Sequence, residues 1–350
     1  MQTDVLIIGG GLAGLRLAHL LARAGRSFCL VEARDRLGGR ILTETIGGGH
    51  FDMGPAWFWP GQPRIAELID DFGLTQFDQH YLGDLLYEDE RGQVQRGRSH
   101  ASMQGSFRMS GGLGALINAL ADRLSPDGVL LNTQVTQLQQ TADGIIATTI
   151  TGDPISAQHV VLAIPPRIAA TLFFNPMLPD AATQTMQDTA TWMAGQAKAI
   201  AVYDRAFWRK EGLSGDAMSR TGPMVEIHDA SPAEGGPYAL FGFIGVPPQG
   251  RENEQVLRQH LQAQLIRLFG PKAAYPKALF VKDWAFDPQT STPRDLQPLY
   301  AHPSYGLPDV LTNLWGGRII FGGTEVAPQF GGYLEGALEA AENAFHRLHS

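Results

Sequence analysis

The chain has 350 residues, 44% of them hydrophobic, which is enough apolar material for one large domain or two of ordinary size. Its net charge of −8 is spread without any block of like charges, so nothing marks a nucleic-acid surface. Cys29 is the only cysteine, which excludes disulfides within the chain and cysteine-based metal sites and suits a reducing compartment. The apolar start, Val5 to Ile8, is too short for a signal peptide and runs directly into glycines. No later stretch reaches the ~20 apolar residues that span a bilayer, so a soluble, cytoplasmic protein is expected.

In chain order, Val5 to Ile8 reads as a buried parallel strand, and Gly9, Gly11 and Gly14 form G-x-G-x-x-G where strand gives way to helix. Gly9 permits the tight turn, Gly11 lets a pyrophosphate approach the backbone, and Gly14 lets the helix pack on the strand. Leu17, Leu20, Leu21 and Ala24 recur at helical spacing, Gly25 ends the helix, and "SFCLVEA" reads as a second strand. Glu32, 18 residues after Gly14, stands near the ~20 expected of an acid that accepts from a ribose. Strand, helix, strand and acid in this order predict a dinucleotide-binding unit, which leaves NAD and FAD equally open.

Further along, "GDLLYEDERGQVQRG" reads as an exposed hairpin and "RMSGGLGALINALADRL" at 108–124 as a helix entered through a glycine turn. Near the C-terminus, Ile319 to Phe321 is a strand ending in Gly322 and Gly323. Leu334, Leu338, Ala341, Phe345 and Leu348 then line one face of a final helix beginning at Gly332 and Tyr333, whose N-terminus favours negative charge. The histidines show no H-E-x-x-H and no Asp/His clustering, so no metal site is expected; His50 precedes "FDMGPAW" and reads as an ordinary loop histidine. Lys198 in "AKAIAVYDRAFWRK" shares a strand face with Ile200 and Val202, yet on residue type alone it reads as a strand-edge lysine reaching water.

"EARDRLGGR" (Glu32 to Arg40) and "FDMGPAW" (Phe51 to Trp57) resemble the FAD site of the flavin-containing amine oxidases. So do "LNTQVTQL" (131–138), "VVLAIPP" (160–166), "FNPMLP" (174–179), the Lys198 strand, and "FGGTEVAPQFGGYLEGALEA" (321–340). The resemblance implies an α/β fold: a Rossmann-like FAD-binding domain of the glutathione-reductase type, discontinuous over 1–60, 104–166 and 288–350, with a smaller α+β substrate-binding domain over 61–103 and 167–287. That first insert is short for the family, which implies a shortened cap and a more open or differently covered active site. It also implies that Glu32, Ala33, Arg34, Gly39, Arg40, Gly54, Pro55, Ala56, Trp57, Val135, Gly323, Thr324, Glu325, Gly332, Tyr333 and Leu334 join Gly9, Gly11 and Gly14 in binding FAD.

For chemistry, the resemblance implies hydride transfer from the carbon bearing nitrogen to flavin N5, giving an imine that water hydrolyses, with O2 reduced to H2O2. Lys198 takes the place of the family lysine that holds a water near N5, Tyr333 one wall of an aromatic cage for the amine, and Trp284 a pocket wall. Counting onward from Trp284, the positions of the covalent-flavin cysteine and the second cage tyrosine fall near Pro293 and Arg294, which cannot serve; non-covalent FAD is expected. Trp59, with Trp57 and Phe58, either rebuilds an aromatic wall or packs beneath the cofactor. Arg294 is a candidate counter-charge for a substrate carboxylate, which keeps an amino-acid oxidase open beside a C–C desaturase and a non-catalytic FAD protein that works by binding a partner. An amine and O2 are the expected partners. No membrane anchor is expected, the chain stopping at Ser350 after its last helix, and a homo-oligomer is left open.

Overall fold

The protein is described by a computed structural model covering residues 1–97, 102–297, 299 and 301–349. Strand Gln2–Ile8 lies between Phe28–Val31 and Pro154–Leu162, parallel to both, and Ile319–Phe321 extends the parallel set beside Pro154–Leu162. Strand Phe28–Val31 pairs in turn with Val129–Leu130. Such strands are buried on both faces, which is why Val5 to Ile8 is a continuous apolar run rather than an alternating one. One face packs on helices Leu12–Arg23, Pro63–Phe72, Gly114–Ala121 and Leu334–Arg347; the other packs around Asp180–Asp188 and the residues near Leu311. Helix Leu12–Arg23 closes where Arg26 N–H donates to the Leu21 carbonyl across Gly25, whose φ of +67° is open to glycine.

A second sheet of seven strands runs in the order Ala278–Asp283, Ala197–Tyr203, Tyr238–Ile244, Met224–Asp229, Leu213–Ser219, Asp84–Glu88 and Val94–Gly97. Every pairing in it is antiparallel except Leu213–Ser219 with Asp84–Glu88. The expected hairpin at 83–97 is therefore an edge of this sheet, and its Glu88 is fully buried against Arg267 rather than exposed. Strand Ala197–Tyr203 is interior, with its two faces in two cores. Ala197, Ala199, Ala201 and Tyr203 pack toward helix Glu254–Phe269, and Ile200 and Val202 pack toward Phe51, Met53, Ala56 and Trp57.

The segment boundaries expected from sequence shift in two places. Strand Phe173–Asn175 pairs in parallel with Val135–Gln140 and so belongs to the first sheet, although it lies within 167–287, the segment expected on the substrate side. Helix Pro63–Phe72 packs on the terminal helix of the first layer, because Glu335 accepts the backbone N–H groups of Arg64 and Ile65. Apolar patterning alone does not say which of two adjacent cores a short element joins.

Candidate active site

A cavity of about 280 Å³ opens between the first sheet, the terminal helix and the Lys198 strand. At one end the glycine turn forms its wall. A methyl group built on Gly11 would meet no atom closer than 3.9 Å, so this backbone faces free space, whereas one on Gly14 would lie 2.0 Å from the Gly9 carbonyl oxygen. Gly14 accordingly does not line the cavity; it is needed for helix-on-strand packing. Helix Leu12–Arg23 has no side chain capping its N-terminus, and Leu12 and Ala13 line the cavity, so its first N–H groups are free for an anion. The terminal helix is likewise uncapped at Tyr333, with Leu334 on the cavity wall. Two open helix N-termini thus face one trough.

Glu32 closes the end of strand Phe28–Val31. It is 4% exposed, its Oε2 accepts from Gly10 N–H at 2.8 Å and its Oε1 from Arg34 N–H at 2.9 Å, leaving lone pairs on a carboxylate that lines the cavity. Beside it lies a second cavity of about 160 Å³, lined by Ala33, Arg34, Thr133, Val135 and Ile164 among others; Glu32, Arg34, Gly9, Ile164 and Gln289 border both spaces. The Arg34 guanidinium reaches Asp287 at 2.5 Å and Thr290 at 3.0 Å, pinning the Glu32–Arg34 turn to the loop after Trp284. Gly39, Arg40, Gly54, Pro55, Ala56, Trp57, Gly323, Thr324 and Gly332 also line the cavity. A long trough with a glycine floor, an acid at one end and two free helix N-termini fits a dinucleotide such as FAD.

Glu325 differs from the expectation: it is fully buried and does not line the cavity. Arg40, which does, approaches it at 2.7 Å. The contact is one of charges rather than an aligned hydrogen bond, since neither Glu325 oxygen has a hydrogen-bonding partner in the protein. Glu325 reaches the trough only through Arg40.

At the other end stands Lys198, 5% exposed and not a solvent-reaching lysine. Its Nζ donates to the Gly54 carbonyl oxygen and lies 4.9 Å from the ring centres of Phe241 and Phe243 and 5.9 Å from that of Trp57. Burial pushes its pKa down to about 7, against a weaker upward pull from the Asp52 carboxylate. Asp52, itself buried and raised by that burial, accepts from Thr43 Oγ1 and Leu113 N–H. Trp57 is held by its Nε1–H donating to Gln79 Oε1 at 2.8 Å, and Trp284 by its Nε1–H donating to the Met53 carbonyl at 3.0 Å; both line the cavity.

Tyr333 and Trp59 line it as well. The ring of Tyr333 stacks at 4.8 Å and 7° on His302, which meets Trp192 edge-on at 4.9 Å. Arg294 does not belong to this site: its guanidinium is half exposed and pairs with Asp188 at 3.3 Å. The Thr292–Asp295 capping box and the Arg167–Asp295 pair fix the turn that carries Arg294 outward. Residues that sequence reasoning missed are Met103, Trp192, Met193, Gln196 and Phe243 on the wall, and His302 and Asp287 behind it. Phe243 joins the wall as the cross-strand partner of Lys198, a register that the sequence does not show.

Fold and trough together are those of a dinucleotide-binding protein with a chamber lined by aromatic side chains beside the cradle. Comparison with known proteins narrows this further. Residues 80–347 match the model for the flavin containing amine oxidoreductases, and residues 7–72 that for an NAD(P)-binding Rossmann-like domain. The chain belongs to the flavin containing amine oxidoreductase family. It is 24% identical to a probable flavin-containing monoamine oxidase A of Dictyostelium discoideum, over 96% of this chain and 95% of the relative. That alignment runs over 448 positions against 350 residues, so the relative has segments with no counterpart here. A putrescine oxidase of Kocuria rosea is 23% identical over 83% of this chain and 84% of its own length. Among solved structures, a putrescine oxidase variant superposes with a TM-score of 0.84 at 22% identity, covering 100% of this chain and 99% of that one. Cyclohexylamine oxidase from Brevibacterium oxydans superposes with a TM-score of 0.82 at 22% identity, covering 99% and 98%. Likeness at that identity establishes the shared fold. Among the described residues no helix is long and apolar enough to cross a membrane.

Proposed function

We propose that the protein is an FAD-dependent amine oxidase that converts a primary or secondary amine to an imine, with O2 as electron acceptor. The observation that carries this reading is a single cavity with a dinucleotide cradle at one end and a buried lysine among aromatic rings at the other. FAD, when bound, accepts the hydride from the carbon bearing nitrogen and passes the electrons to O2 as peroxide. The chain's own contribution is to hold and shield. Trp57, Trp284, Phe243 and Tyr333 keep water from the amine, and Lys198, neutral over half the time above pH 7, offers a nitrogen that exchanges protons with water without adding a fixed charge. Glu32 and Gly11 bind the dinucleotide, Val135 and Ala33 flank the second cavity, and Arg40 with Glu325 behind it holds the trough from the terminal-helix side.

The FAD is held without a covalent bond in this reading. Cys29 is fully buried in the core around Leu6 and Val31, does not line the cavity, and burial pushes its thiol pKa up to about 11. The first sheet and its helices serve as the cofactor domain, and the second sheet as the substrate domain. The short segment between 61 and 103, with one helix and three strands, covers the site less than a full helical cap would. A cytoplasmic setting agrees with the single buried thiol.

The test is spectroscopic. Purified protein should carry a yellow chromophore that acid releases into solution, that amines bleach without air, and that recovers with peroxide release when air is admitted. A colourless protein that takes up no FAD on reconstitution refutes the reading.

A further inference from the structure

We propose that the substrate chamber takes monoamines bearing a bulky apolar substituent and disfavours diamines and amino acids, with Trp192 and Met193 setting that preference. This rests on the amine-oxidase reading above and narrows it. Glu32 is the only acidic side chain on the cavity wall among the described residues, and it is engaged by Gly10 and Arg34 at the cradle end. Of the residues outside the described set, none is Asp or Glu. A second ammonium group on the substrate therefore meets no counter-charge, only neutral groups such as the Gln62 and Gln196 amides, and burying a charge without an opposite one is strongly disfavoured.

The cations on the wall are engaged as well. Arg34 is paired with Asp287, Arg40 with Glu325, and Lys198 donates to Gly54. With Arg294 turned outward, the described wall holds no unengaged cation for a substrate carboxylate. Beside a few neutral polar groups such as Gln62 and Gln196, the wall offers the substituent Trp59, Met103, Trp192, Met193, Phe243 and Tyr333.

Trp192 and Met193 are neighbours in sequence, and neighbours in an extended chain point to opposite sides. Both nevertheless line the cavity, because Met193 has a φ of +63°, the left-handed conformation that a methionine rarely adopts. The turn is anchored: Trp192 N–H donates to Tyr305 Oη at 2.9 Å, and that hydroxyl donates to the Ala190 carbonyl at 2.6 Å. His302, stacked on Tyr333 and edge-on to Trp192, ties the two walls into one unit. Rigid rings together with the pliable thioethers of Met103 and Met193 suit apolar groups of varied shape.

The experiment uses the FAD-loaded enzyme, in two readouts. Anaerobic bleaching is measured with straight-chain monoamines and benzylamine, with 1,4-diaminobutane, and with phenylalanine. Monoamine efficiency should rise about fourfold per added methylene until the chamber fills, and the diamine should lag its apolar equivalent by about thirtyfold or more. Cumylamine, which has no α-hydrogen to lose, should bind without turnover and perturb the flavin spectrum, giving a dissociation constant free of chemistry. Met193→Glu should raise the diamine-to-monoamine ratio by about tenfold or more, with Met193→Gln changing it less. Trp192→Ala should weaken cumylamine binding by about tenfold; it carries the test if the glutamate variant does not fold. Diamines or phenylalanine bleaching as fast as the monoamines overturn this proposal and leave the amine-oxidase reading standing. An unchanged ratio in both Met193 variants, or an unchanged cumylamine constant in Trp192→Ala, overturns the residue assignment. No bleaching by any amine, in a protein whose flavin dithionite reduces, overturns both readings.

Discussion

Lys198→Met is the perturbation on which the site turns. The lysine's pKa falls from 10.5 to about 7 because the folded chain disfavours the buried ammonium. Below pH 7 both folded and unfolded chains carry the proton, and folding bears the full cost of burying it. Between 7 and 10.5 only the unfolded chain is charged, and the cost falls by about 1.4 kcal/mol per pH unit, vanishing above 10.5. Over the interval this amounts to roughly 5 kcal/mol. Methionine fills similar volume with no charge, and gives up the hydrogen bond to Gly54, worth roughly 1 kcal/mol. The variant should therefore be roughly 4 kcal/mol more stable than the parent at pH 6, and its lead should shrink by roughly 2 kcal/mol between pH 7 and pH 9. Urea unfolding of both proteins in saturating FAD at pH 6, 7, 8 and 9 measures this directly. A lead that stays constant between pH 7 and 9 refutes the picture of a buried lysine that sheds its proton on folding. The same variant should slow flavin reduction or reoxidation, and unchanged rates of both would remove Lys198 from the chemistry while leaving its electrostatics intact.

Two glycines separate binding from folding: Gly11→Ala, whose methyl faces open trough, should fold with unchanged circular dichroism and lose FAD, whereas Gly14→Ala, whose methyl would strike the Gly9 carbonyl, should lose stability first; equal behaviour of the two contradicts the assignment. Glu325→Gln leaves the partly exposed Arg40 without its counter-charge and should weaken FAD retention on gel filtration while costing no more than about 1 kcal/mol of stability. For His228, burial alone would lower the pKa, but hydrogen bonds to Asp216 at 2.8 Å and Glu226 at 2.9 Å outweigh it and raise it. A raised folded value means that its contribution is complete below the unfolded value near 6.5 and is lost as pH rises through the folded one. The stability lead of the parent over His228→Gln should accordingly decline with rising pH, as read by urea midpoints. Arg294→Ala should change neither Michaelis constant nor, beyond about 1 kcal/mol, stability, because its pair with Asp188 is half exposed.

What could be read in the sequence was what short-range signals carry. The cradle is one: apolar run, glycine spacing and Glu32 lie within one strand-helix-strand unit, and each is dictated by local backbone geometry. The terminal helix is another, announced by its apolar period and its glycine entry. Lys198 was half legible. The alternation with Ile200 and Val202 placed it on an apolar face, but only the pairing of its strand on both sides shows that the face is interior. The wall residues Trp192, Met193 and Met103 gave no signal, since loop side chains reach a cavity through tertiary contacts that have no period. Arg294 misled for a related reason. Counting along a chain from Trp284 assumes that the loop keeps its path, and the capped turn at Thr292 to Asp295 sends it to the surface.

The two halves of the site are joined by a residue that no motif announced. Asp287 takes the Arg34 guanidinium on one oxygen and the Lys282 ammonium, at 2.7 Å, on the other; burial works to raise its carboxyl, but these two cations hold it below the ordinary range. Lys282 is the direct cross-strand partner of Lys198. Like charges directly opposed on a sheet repel, and here the opposition is relieved in two different ways. Lys282 has Asp287, while Lys198, among rings with one carbonyl to donate to and only a weaker pull from Asp52, has its pKa pushed down by burial. One carboxylate thus ties the Glu32–Arg34 turn of the first sheet to Lys282, on the strand beside that of Lys198, while burial is what pushes Lys198 toward its neutral form at the cavity wall. The pairing of a fixed charge with a desolvated one, side by side in register, is the arrangement that lets a site holding cations elsewhere present an uncharged nitrogen to an apolar amine.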